Sequence, residues 1–187
     1  MKKIILTALV AVITMVSVNA QTSFGAKAGL NIANFSGDVT GVKSLVGFHV
    51  GMFAEIGVAE SFTFQPELLF STQGAKYKED GISADFEMNY INLPLMFKYA
   101  VADGFYLEAG PQVGFLVSAK VLDQDVKDEM ESVDFGANFG FSYDFTEKLF
   151  AGARYNLGLS NVFKTNEDFE NDKVSNAVLT FSLGYKF

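Results

Sequence analysis

The side chains able to do chemistry are few. The 187 residues include one histidine, His49, and no cysteine. This removes disulfides, thiolate metal sites and a cysteine nucleophile, and leaves little material for a histidine-based centre. A hydrolase or acyltransferase would place a serine or aspartate beside a histidine at an accessible rim. His49 instead falls near the middle of an alternating segment, where a packed residue is expected. Asp123, Asp125, Asp128 and Glu129 form the one acidic cluster with a calcium-like look. An EF-hand pattern fails there, because Lys127 stands at the fifth position and no glycine follows. A solvated acidic loop is the expectation. No catalytic residue, metal ligand or cofactor is predicted.

The remaining charges of interest are Lys27, Glu55, Glu67, Lys98, Glu108, Asp134, Asp144, Arg154 and Lys186. What must position them is a repeated strict alternation of apolar and polar residues, the period of a β-strand. Eight segments show it: 24–32, 46–58, 62–70, 91–101, 105–117, 133–145, 149–159 and 177–187. In the sixth, Val133, Phe135, Ala137, Phe139, Phe141, Tyr143 and Phe145 oppose Asp134, Gly136, Asn138, Gly140, Ser142 and Asp144. Every charge named above lies on a polar face, and so do most of the 17 glycines. The connections 59–61, 102–104 and 146–148 are tight, whereas 36–44, 76–85, 120–132 and 162–174 are long and polar. Short turns on one side and long loops on the other describe an up-and-down antiparallel meander between two different environments.

Two features disturb the pattern. Phe86, Met88 and Tyr90 have the opposite parity to 91–101, which predicts a β-bulge near Tyr90 or a strand start there. Pro66, Pro94 and Pro111 fall inside strands, where each removes a ladder hydrogen bond.

The first twenty residues read separately. Lys2 and Lys3 precede an apolar run, and Val18-Asn19-Ala20 supplies the small residues of a cleavage site. This predicts a secretory signal at 1–20, cleaved after Ala20, and one domain at 21–187. Removing it takes the formal charge from −8 to −10. Such a balance argues against nucleic acid as a partner, since phosphate binding needs a basic face.

Lipid is the solvent that suits the apolar faces. Their aromatic area exceeds the few hundred Å² a soluble monomer exposes, and the glycine-rich polar faces are too sparse to coat an exterior. Hydrocarbon offers no hydrogen-bond partner to an open sheet edge, so the strands must close into a ring. Eight strands leave an interior that side chains just fill. Aromatics at both ends predict two outer girdles, with Phe24, Phe62, Phe105, Phe145, Tyr185 and Phe187 at the short turns. Phe35, Phe70, Tyr77, Phe86, Tyr90 and Phe163 would form the other.

The segments Gln65-Pro66-Glu67-Leu68-Leu69-Phe70, Ile91-Asn92-Leu93-Pro94-Leu95-Met96-Phe97-Lys98-Tyr99 and Leu107-Glu108-Ala109-Gly110-Pro111, with Phe187 closing Leu183-Gly184-Tyr185-Lys186, carry a resemblance. Together they resemble the small outer-membrane β-barrel domain proteins of Bacteroidota, the PorT-like or "porin family" proteins. The resemblance covers 21–187. It implies an all-β, eight-stranded transmembrane barrel with short periplasmic turns and long extracellular loops. It also implies that the barrel assembly machinery reads Tyr185 and Phe187 during insertion, and it brings no catalytic residues.

The expected function is therefore a structural or surface-interaction barrel, monomeric in outer-membrane lipid. Its polar lumen would be plugged by a charge network of Lys27, Glu55, Glu67, Lys98, Glu108, Arg154 and Lys186. In particular, Arg154 is expected to bridge to Glu67 or Glu108. The alternative is a narrow channel for ions or small solutes, and a membrane-barrel enzyme ranks below both. No partner for the extracellular loops is legible.

Overall fold

The computed structural model describes residues 22–37, 41–79, 82–164 and 174–187. The expected export signal at 1–20 lies outside them. Among these described residues nine strands follow in order: β1 (Thr22–Gly37), β2 (Val42–Ala59), β3 (Phe62–Glu79), β4 (Ile82–Ala102), β5 (Phe105–Val121), β6 (Gln124–Asp125), β7 (Val133–Asp144), β8 (Leu149–Gly158) and β9 (Val174–Lys186). All pairings are antiparallel. Each long strand pairs with its sequence neighbours, apart from β5 with β7, and β1 pairs with β9 to close an eight-membered ring. The two-residue β6 stands outside it as a flap on β5.

The closed ring gives each spanning strand partners on both sides, which hydrocarbon requires. Its faces sort as the alternation predicts. Phe48, Met52, Phe97, Leu107, Phe139 and Leu183 are exposed on the outside, whereas Lys27, Asn31, Glu67, Lys98, Glu108 and Arg154 are buried within. At the short-turn rim the Phe187 N–H donates to the Phe24 carbonyl at 2.9 Å, tying the last residue to the first strand.

The prolines interrupt the ladder locally without shifting it. Pairing lapses between Pro66↔Leu95 and Leu69↔Asn92, then resumes in the same register. It lapses and resumes likewise between Pro94↔Gln112 and Phe97↔Ala109. Flanking pairs hold the strands where the missing N–H cannot.

The bulge falls where the parity argument put it, but on the other strand. Asn89 pairs with Ser118 and Tyr90 with Leu116, so the extra residue is Val117 of β5. Along β4 the inward residues keep even numbers throughout, from Met88 and Tyr90 to Asn92, Met96 and Lys98. Phe86, Met88 and Tyr90 therefore face the interior rather than the lipid. Phe35 lies inside with them, with its ring edge-on to both Phe86 and Phe163 at 6.0 Å. The outer aromatic girdle expected at the long-loop end is thus corrected. Phe70 remains in contact with Phe48 on the outside, while Phe35, Phe86, Tyr90 and Phe163 feed an internal apolar cluster.

That cluster exists because the strands run on past the expected loop boundaries. The 76–85 connection, expected as a loop, is a paired continuation of β3 and β4 as far as Glu79↔Ile82. It is reinforced by a Lys76–Asp85 ion pair at 2.9 Å. Gly74 lets the two strands meet there: its φ is +139°, and a Cβ would stand 1.8 Å from the Phe86 carbonyl oxygen. β5 likewise rises to Val121 and turns back through Leu122 and Asp123, whose φ angles of 48° and 64° are the left-handed pair of a two-residue hairpin turn. Two loop segments then cross the mouth. Met130 bridges to Phe163, and the Glu131 N–H donates to the Val162 carbonyl at 2.9 Å.

Candidate functional site

Among the described residues, the lumen is where the barrel gathers charge in a desolvated setting. Each of the eight ring strands contributes one member: Lys27 from β1, Glu55 from β2, Glu67 from β3, Lys98 from β4, Glu108 from β5, Asp144 from β7, Arg154 from β8 and Lys186 from β9. Alternation turns each inward, and glycines beside them make room. Gly140, for example, lies opposite Arg154, where a Cβ would stand 2.7 Å from the Arg154 Cγ.

These eight groups form one chain of alternating sign. Lys27 Nζ meets Glu67 at 2.6 Å. Arg154 joins Glu67 through Nη1 at 2.7 Å and Glu108 through Nε at 2.5 Å. Lys98 stands 3.8 Å from Glu108 and 2.6 Å from Glu55. Lys186 then links Glu55 at 3.0 Å to Asp144 at 2.7 Å. Four cations and four carboxylates leave the ladder neutral. Its inner members are sealed from water, and its last three, Glu55, Lys186 and Asp144 toward the short-turn rim, are partly wet.

Arg154 thus touches both of the carboxylates considered for it. The guanidinium fork matters, because its separate N–H groups can serve two acceptors at once. Ser142 Oγ adds a 2.6 Å hydrogen bond to Glu108, and Gln65 Nε2 adds another at 2.6 Å to Glu67. Asp134 stands apart from this ladder. It accepts from Ser160 Oγ at 2.6 Å and from Asn176 Nδ2 at 3.0 Å, higher in the barrel.

The lumen is less polar than its sequence suggested. Phe53 and Phe150 pack edge-to-face at 5.4 Å within it, and the Lys98 ammonium lies 5.4 Å from the Phe150 ring centre. Met96, Leu69 and Val178 are also buried. These are the residues sequence reasoning missed. Strict counting by two along each strand places them inward, and that was the available signal.

Above the ladder lies a belt of uncharged polar groups. Asn31 Nδ2 donates to the Phe48 carbonyl, Ser71 Oγ and the Thr72 carbonyl at 2.8–3.0 Å. With its amide nitrogen so occupied, Asn31 turns Oδ1 to His49 Nδ1 at 2.7 Å. This hydrogen-bond pattern assigns the proton to Nδ1 and leaves Nε2 to accept from Ser182 Oγ–H at 2.9 Å. The order serine–histidine–amide is that of an acyl-transfer site. Here the three cross-link β9, β2 and β1 inside a closed barrel. The cavity beside them is about 30 Å³, lined by residues including Lys27, His49, Gln112 and Arg154. That holds roughly two waters, and no acyl substrate.

Among the described residues, no group of three or more histidine, aspartate or glutamate side chains is placed to hold a metal. In the acidic loop, Asp125 Oδ1 accepts from the Lys127 backbone N–H at 2.9 Å, which is local turn chemistry.

Comparison with known proteins agrees with this architecture. Neisserial surface protein A superposes with a TM-score of 0.58 at 21% identity, over 90% of this chain and 100% of that one. Ail, the attachment invasion locus protein of Yersinia pestis, solved with the heparin analogue sucrose octasulfate, gives 0.53 at 15% identity over 90% and 100%. OprG of Pseudomonas aeruginosa gives 0.50 at 13% identity over 88% and 95%. At such identities the likeness is one of fold. No curated protein matches the sequence. The family model for an outer membrane protein beta-barrel domain matches residues 19–164. With a closed ring, an apolar exterior and that match over most of its length, the chain belongs to the outer membrane protein beta-barrel domain family.

Proposed function

We propose that this protein is a sealed outer-membrane barrel with a structural or surface-interaction role, acting through its long extracellular loops. The observation that supports it best is the lumen, where the neutral ladder fills the short-turn half and the cavity above it admits only about two waters. An ion crossing this path would have to break paired charges in a desolvated interior, which costs several kcal/mol for each charge exposed. For the narrow-channel alternative, the lumen cavity among the described residues offers only about 30 Å³. The enclosed Ser182–His49–Asn31 triplet supports cross-linking, not catalysis.

The charge of the long connections suggests the partner. The segments 36–44, 76–85, 120–132 and 162–174 carry seven lysines against thirteen carboxylates. Ail was solved with an anionic heparin analogue; the acidic loops here suit a basic surface instead, by charge complementarity. The reading also includes export through the 1–20 signal, a monomer in lipid, recognition of Tyr185 and Phe187 by the assembly machinery, and a place among the PorT-like barrels of Bacteroidota.

Reconstitution into planar bilayers tests it. Wild-type protein is expected to give no stable conductance steps above the bare-bilayer baseline. Large, steady steps would overturn the seal and promote the channel.

A further inference from the structure

The upper lumen differs in kind from the ladder below it. Phe35, Ala75, Met88, Tyr90, Leu116 and Ala119 line it from the strands, all buried. Its remaining volume is filled from above by Met130, Val162 and Phe163, which belong to loop segments. The walls are carried by paired strands. The filling is held by a short seam: Glu131 N–H to Val162 O at 2.9 Å, Lys164 N–H to Glu129 O at 3.1 Å and Val162 N–H to Val174 O at 2.8 Å.

One wall residue is poorly served. Tyr90 is 1% exposed, yet its hydroxyl donates only to the Met88 thioether, at 3.6 Å. A thioether is a weak acceptor. The other contact, from Asn176 Nδ2, is 3.4 Å long, and that amide makes its shorter bond to Asp134. Buried hydroxyls ordinarily find an oxygen or nitrogen acceptor; this one, at the margin between the apolar cluster and the Asn176–Asp134 pair, has a thioether in that place.

The wall also changes partner beside the chamber. β5 leaves β7 above Phe115↔Val133, and above the Val117 bulge it carries β6 instead. The Val117 carbonyl freed by the bulge is taken by Lys127 Nζ at 2.8 Å, on the segment leading to Met130. The lid is thereby anchored to the wall at its margin and inserted at its centre.

We propose that this chamber is a binding site for a small, mostly apolar molecule bearing one hydrogen-bond acceptor, such as an aryl ketone. Met130 and Phe163 occupy it in the absence of ligand, and the Tyr90 hydroxyl is its polar contact. Binding requires those loop side chains to withdraw, so apparent affinity is reduced by the fraction of time the lid is seated. The ladder blocks the way below, which makes the chamber a dead end opening toward the exterior.

The test uses the full barrel in lipid nanodiscs, with 4-fluoroacetophenone as acceptor-bearing probe and 4-fluoroethylbenzene as its apolar counterpart. Binding is followed by fluorine NMR, with empty nanodiscs to subtract partitioning into lipid. Wild type is expected to bind the ketone saturably and in preference to the alkylbenzene. Met130→Ala, which removes the resident occupant, should tighten ketone binding about tenfold, and Tyr90→Phe should abolish the preference. Heat-modifiable gel mobility checks that each variant folds. If Met130→Ala does not fold, wild type and Tyr90→Phe decide alone. Absence of saturable binding to wild type, or a preference unchanged in Tyr90→Phe, overturns the proposal.

Discussion

Arg154→Ala is expected to destabilise the folded barrel by about 3–5 kcal/mol, the range for breaking a buried ion pair from one side. Arg154 holds Glu67 and Glu108 together, so its loss leaves four carboxylates facing three ammonium groups in a space without room for counter-ions. Lys27 and Lys98 still face those two carboxylates, which keeps the cost from doubling. Arg154→Lys should recover only part of the loss, since a single ammonium cannot match a fork whose Nε and Nη1 address different partners. Neutrality provides the sharper comparison. Glu67→Leu strands Lys27 and leaves Arg154 to Glu108 alone, whereas Lys27→Met combined with Glu67→Leu trims one opposite-sign pair from the ladder's end. The double variant is expected to be more stable than Glu67→Leu alone, with a coupling free energy of about 0.5–3 kcal/mol. Urea unfolding from lipid bilayers reads each value. Additive effects would show that the ladder is not an energetic unit.

The second large effect lies on the other face. Val113→Arg and Ala153→Arg put a cation into hydrocarbon near the middle of the span, and each is expected to cost about 2–4 kcal/mol. Leu159→Arg, past the end of β8 at the rim, should cost only about 0–1 kcal/mol. The measurement is the same unfolding titration, accompanied by folding yield into vesicles. Equal penalties at all three positions would mean that the outward face is not graded by depth, and hence not in lipid.

Much of the architecture was legible because a solvent on each side of a sheet writes itself into every second residue. The apolar faces from Phe24 to Phe187 and the inward placement of Lys27, Glu67, Lys98 and Arg154 follow from parity alone. Height within the barrel did not follow. Whether Arg154 stands level with Glu108 or a turn away depends on stagger, and stagger is set by pairings between β5, β7 and β8 that no single strand records. Phe86 and Tyr90 were placed in lipid because aromatic residues near a strand end suggest an interface. Their even parity was right, and the inference of a slip in β4 was not. The irregularity belonged to β5, at Val117, where one extra residue leaves no mark in composition. Ser182 and Asn31 were likewise unremarkable in the chain, since only ring closure brings β9 and β2 to either side of β1.

The distribution of ladder charges among hairpins bears on how such a barrel can be rearranged by recombination. Lys27 and Glu55 cancel within the first hairpin, and Glu67 and Lys98 cancel within the second. The third contributes Glu108 and Asp144, both negative, and the fourth contributes Arg154 and Lys186, both positive. A break in the tight turn between β4 and β5 therefore divides the ladder into two electroneutral halves. A break between β7 and β8 leaves the two parts of the ladder with opposite double charges. Duplicating or exchanging either of the first two hairpins conserves the balance. The third and fourth can be inherited only together, so the genetic unit of this barrel's second half is four strands rather than two.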